Sequence, residues 1–175
     1  MGTIEWLILF AACCLIIGSF AYIKPTPRQK RQSSIRMKAI NSGLKVKQLM
    51  VDDLSINGRV NKKTIPNIFF QLHLEEKQKI EHTWFIQRTT GESGIHLPDG
   101  WTWKNKNFDA DIPQFLKVFL TKQSLDINAI EVHRKYVAIS WNEKTNEQYI
   151  ETLIEDLNEL KEFSMNANSP EFNAG

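Results

Sequence analysis

The four histidines, His73, His82, His96 and His133, are the first side chains able to do chemistry near neutral pH. None has a second ligand-type residue at the tight spacing of metal sites, and Cys13 and Cys14 lie far away in an apolar run. His73 and His82 are expected to face each other across a hairpin, as a pair on a polar sheet face. Asp109-Ala110-Asp111 precedes Ile112-Pro113, where a carboxylate caps a helix start, and no third carboxylate follows to complete a cation cage. Gly91-Glu92-Ser93-Gly94 lacks the Lys-Ser/Thr ending of a phosphate loop, and no G-x-S-x-G elbow is present. No catalytic residue, metal site or cofactor is therefore expected. A polar pocket joining His73, His82 and Asp99 would be the mark of a hydrolase or ligand-binding enzyme.

The most unusual stretch is Leu97-Pro98-Asp99-Gly100-Trp101-Thr102-Trp103. Trp101 and Trp103, two apart after a turn, point to one side of an extended segment. They either cap the sheet core or offer an aromatic patch for partner binding.

Periodicity gives the elements that must position these groups. A helix is expected over 28–42, with Ile35, Ala39 and Ile40 at helical spacing and Gly43 at its C-terminal stop. A first strand covers 44–51, and Asn57-Gly58 marks a turn. Ile68, Phe70, Leu72 and Leu74 alternate with Gln71, His73 and Glu75. Trp84 and Ile86 alternate likewise with Phe85 and Gln87, and the two runs are expected to form an antiparallel hairpin. Residues 91–107 are expected as a loop. A helix follows from Asp111 to about Lys122, with Phe115, Leu116, Phe119 and Leu120 on one face. A second hairpin turns at Arg134-Lys135, and an amphipathic helix closes the domain over 146–163. The fold class is α+β: one N-terminal transmembrane helix, then a mostly antiparallel sheet with two packed helices.

The chain has 175 residues, 42% hydrophobic and 24% charged, enough for one compact core. Its net charge of +2 hides an asymmetry. Residues 24–51 carry eight cations and no acid, whereas 52–175 carry fourteen Lys plus Arg against nineteen Asp plus Glu. Residues 6–23 form an uncharged apolar run that would span roughly 27 Å as a helix, close to the hydrocarbon thickness. The basic collar follows it directly, so the positive-inside rule puts the N-terminus outside and the rest in the cytoplasm of a bacterial inner membrane. Lys24, Arg28, Lys30 and Arg31 would meet anionic lipid headgroups. The expected organisation is an anchor over 1–23, a basic segment with a short helix over 24–43, a cytoplasmic domain over 44–163 and a disordered tail over 164–175. No nucleic-acid partner is expected, because the basic stretch lacks interleaved aromatics.

Residues 6–47, with the run Ile23-Lys24-Pro25-Thr26-Pro27-Arg28-Gln29-Lys30-Arg31, resemble the start of the small accessory subunit of the bacterial preprotein translocase. The Pro-x-Pro-Arg run and the later Gly-Trp-x-Trp stretch also resemble uncharacterised single-pass inner-membrane proteins. The resemblance implies an accessory role at the translocase. The residues themselves favour a membrane-anchored, non-enzymatic interaction or scaffold domain with lipid contacts and a protein partner.

Overall fold

The computed structural model describes residues 2–22, 25–61, 63–107, 114–144 and 147–166, without the side chains of 17–22 and Arg59. Lys24, the expected cap at Asp109 and Asp111, and residues 167–175 lie outside them. The chain divides into two compact units, Met1–Ser34 and Ile35–Gly175.

In the first unit α1 runs Thr3–Tyr22. The large apolar side chains described on it, among them Trp6, Leu7, Phe10 and Leu15, are exposed. The transmembrane expectation is overturned: among the described residues no helix is long and apolar enough to cross a membrane. The single-pass inner-membrane placement falls with it. Cys13 and Cys14 are free and exposed on this helix.

The helix α2 spans Pro27–Asn41. Thr26 caps it: its Oγ1 accepts from the Gln29 amide at 3.2 Å, and Gln29 Oε1 accepts from the Thr26 amide at 2.8 Å. This reciprocal box, with Pro27 at the first helical position, fixes the start. Gly43, at φ +86°, ends the helix: its amide donates to the Ile40 carbonyl at 2.9 Å, and the Leu44 amide to that of Ala39 at 3.1 Å.

The second unit is built on six strands: β1 (Lys45–Asp52), β2 (Thr64–His73), β3 (Trp84–Arg88), β4 (Trp101–Lys106), β5 (Ile127–His133) and β6 (Tyr136–Trp141). They form one sheet in the order β1-β2-β6-β5-β3-β4, every pair antiparallel. A short α3 (Ile56–Asn61) joins β1 to β2, α4 (Gln114–Lys122) joins β4 to β5, and α5 (Tyr149–Asn166) closes the fold. The α+β assignment with an antiparallel sheet holds. The expected hairpin of β2 with β3 does not form, because β6 and β5 insert between them. Residues 101–106, expected within a loop, make β4, and Ser164, expected in a disordered tail, is buried in α5.

Alternation divides the sheet. One face carries Phe70, Ile139, Ile130 and Ile86, whose strands pair in register. These join Leu116, Phe119 and Leu120 of α4 and Leu153, Leu157 and Leu160 of α5 in one buried cluster. Ile35 and Ala39, one turn apart on α2, belong to the same cluster. Two large rings, Trp101 and Trp141, are fully buried there.

Candidate functional site

Among the described residues no helix contributes to the buried cluster on the other face. Register places its residues in rows. One row runs Lys47, Phe69, Ser140, Ala129 and Gln87 across β1, β2, β6, β5 and β3. The next runs Lys45, Gln71, Ala138, Glu131 and Phe85. Phe69 and Phe85 stand on strands about 14 Å apart, three strand spacings, yet their ring centroids are 6.0 Å apart. The small Ala129, Ala138 and Ser140 between them leave room for both rings to lean inward. The result is a second buried cluster with Val51, over which the Lys104 ammonium lies 5.5 Å from the Phe85 ring.

Polar groups ring this cluster. The Tyr136 hydroxyl lies close to the Glu131 carboxylate, whose Oε2 is buried without a partner. Burial pushes the Glu131 carboxyl above its ordinary range, against the pull of Tyr136 and nearby cations. Burial, then the Glu131 charge, pushes Tyr136 up to about 12. His73 and His133 flank the Tyr136 ring at 5.4 and 4.5 Å. Burial and the charges of Lys45, Lys47 and His133 lower His73.

At the end of the same face a groove of about 540 Å³ opens between the β1–α3 turn, the end of β3 and the Pro98–Trp101 turn. Gln87 forms part of its floor; the residue is 4% exposed. Its Nε2 donates to the Asp52 carbonyl, and its Oε1 is buried with no partner. Asn128 Nδ2 donates to Asn67 Oδ1 at 3.2 Å beside it. Leu54, Ile65 and Leu125 supply apolar walls, Leu125 being 85% exposed at the mouth. Gly100 takes φ +82° in the turn closed by the Trp101 amide on the Pro98 carbonyl at 3.2 Å, which brings Asp99 to the rim.

Arg88 braces the groove from behind. Its guanidinium lies 4.2 Å from the Trp101 ring centroid. Nε donates to the Ile127 carbonyl at 3.2 Å, and Nη2 to those of Gln123 and Ser124 at 2.9 and 3.1 Å. A cation on the carbonyls just past α4 also suits the negative end of that helix. Burial lowers the Arg88 pKa from its ordinary value.

Of the residues singled out in the sequence, Asp99 borders the groove and the others go elsewhere. Trp101 is buried, and Trp103 is half-buried against Trp84 in an edge-on contact at 6.3 Å; both pack on the core. His73 and His82 are not opposed, since β2 and β3 are not neighbours. His73 borders a separate hollow of about 200 Å³ with Glu76 and Lys135, and Asp99 borders the groove, so the pocket that would have joined His73, His82 and Asp99 is not formed. Arg28, Lys30 and Arg31 are exposed in the first turns of α2. Among the described residues no three His, Cys, Asp or Glu gather as a metal site.

Sequence reasoning missed Gln87, Arg88 and Glu143. Glu143 is buried at φ 56°, where a non-glycine residue is strained, and Arg36 of α2 grips it through both carboxylate oxygens at 2.6 and 2.7 Å. A Gln or Arg inside an otherwise apolar strand, as in Trp84-Phe85-Ile86-Gln87-Arg88, was the available signal.

No protein-family model, no curated protein and no solved structure matches this chain.

Proposed function

We propose that the chain is a non-enzymatic interaction module whose recognition site is the groove beside Gln87. The carrying observation is Gln87: its carbonyl oxygen is buried and partnerless, and the residue lines a cavity of ligand-binding size. Each hydroxyl around it already makes one hydrogen bond. Thr90 Oγ1 donates to the Leu54 carbonyl, Thr89 Oγ1 accepts from the Gly91 amide, and Ser55 Oγ accepts from the Gly58 amide. No imidazole lines the groove among the described residues, so no hydroxyl there has a histidine to activate it. These features favour binding over bond-breaking chemistry.

A photo-reactive residue at Leu125, on the mouth, tests the reading in the producing cell. It is expected to give one discrete crosslinked species that the same probe at exposed Val118 on α4 does not give. The same pattern from both sites, or none from Leu125, counts against it.

A further inference from the structure

We infer that the groove receives a lysine or arginine side chain presented by a protein partner. This rests on the groove being the recognition site and names the chemistry it reads.

Among the described residues, the one buried side-chain polar atom on the groove's lining that lacks a partner is an acceptor, Gln87 Oε1. The Asp52 carbonyl can only accept, so Gln87 must turn Nε2 toward it, and this fixes Oε1 on the other side. A buried acceptor without a donor is costly to keep, and an incoming N–H offsets that cost. Two carboxylates border the cavity. Asp99 is exposed and has no ion-pair partner among the described residues. Asp53 takes the Ser55 amide at 3.0 Å, and those Ser55 contacts, with Lys63 nearby, favour its ionised form. The cation on the lining, Arg88, has Nε and Nη2 turned into backbone carbonyls, so it offers an anion no fork. The two carboxylates and the donorless Gln87 oxygen thus favour a cationic donor.

The walls fit the rest of such a side chain. Ile65, Leu54 and Leu125 line the cavity with Gln87, so the aliphatic stem of such a side chain has apolar surface to pack on behind its charged head. Leu125, 85% exposed, and Ile65, 38% exposed, continue apolar surface out to the mouth. A free amine would leave that surface bare, whereas residues on either side of a peptide's lysine would cover it.

The test uses the full chain, isotopically labelled, followed by NMR. Blocked pentapeptides Gly-Leu-Xaa-Leu-Gly are titrated with Xaa as lysine, norleucine or glutamate, alongside n-butylamine. The lysine peptide is expected to move the Gln87 carboxamide and the Thr89, Thr90 and Gly100 amides, and to bind about tenfold tighter than the norleucine peptide. Asp99→Asn, a change at an exposed position, is expected to remove most of that preference and leave the spectrum folded. Equal binding of the norleucine or glutamate peptide overturns the cationic ligand but keeps the groove as a recognition site. Butylamine binding as tightly as the lysine peptide overturns the protein partner in favour of free amines. No shift at the groove with any probe overturns this inference and the recognition site together.

Discussion

At the scale of single residues the buried carboxylates Glu143 and Asp156 are each held by a cation. Glu131 is the exception: its carboxyl is raised by burial, so the folded state holds the proton more tightly than the unfolded chain does. Its contribution is therefore fully favourable below the ordinary glutamate value and is lost as pH rises through the raised one. Glu131→Gln is expected to be more stable than the parent at pH 7, with the gap closing by about pH 4; urea melts at both values check it. His73 has the opposite sign. A depressed imidazole loses stability as pH falls from its unfolded value through its lower folded one, so His73→Gln should melt higher than the parent at about pH 5 and show less difference at pH 8. Arg36→Ala strands the buried Glu143 carboxylate and is expected to cost about 3 kcal/mol in denaturant melts. Arg36→Lys should recover only part, because an ammonium cannot hold both oxygens in the guanidinium's fork.

At the scale of elements, local rules read well and pairing read badly. Gly43 marked a helix end, Arg134-Lys135 marked the β5–β6 turn, and the leucine stripe of α5 faces the core as its spacing requires. Alternation placed Phe70 and Gln71 on opposite faces, but it says nothing about which strand lies alongside. The short link after His73 favoured pairing β2 with β3, whereas β2 pairs with β6 and β3 with β5. Lys104, Asn105 and Lys106 hid β4 because edge strands accept polar residues. The capping box Thr26-Pro27-Arg28-Gln29 is legible in the sequence as a hydroxyl three residues before a glutamine. The second cluster depends on Ala129, Ala138 and Ser140 staying small. Ala138→Leu is expected to separate the Phe69 and Phe85 rings and cost roughly 1–3 kcal/mol, measured by thermal melts with the near-ultraviolet aromatic signal as readout.

At the scale of the whole molecule, the sequence showed the apolar N-terminal run and the compact α+β domain, but not the groove. The groove is assembled from the β1–α3 turn, the end of β3, the Pro98–Trp101 turn and Leu125, brought together by long-range pairing that no local pattern encodes. The two compact units make a further prediction. A chain beginning at Pro25 keeps the α2 cap and all of the second unit, so its melting temperature should stay within about 2 °C of the parent. The account turns on the second sheet face being closed by its own side chains, which leaves recognition to the groove at its end. Selective labelling of phenylalanine rings, with NOE cross-peaks read between Phe69 and Phe85, tests that directly. Strong cross-peaks that vanish in Ala138→Leu are predicted; rings that show no contact with each other, while exchanging freely with solvent probes, would contradict it.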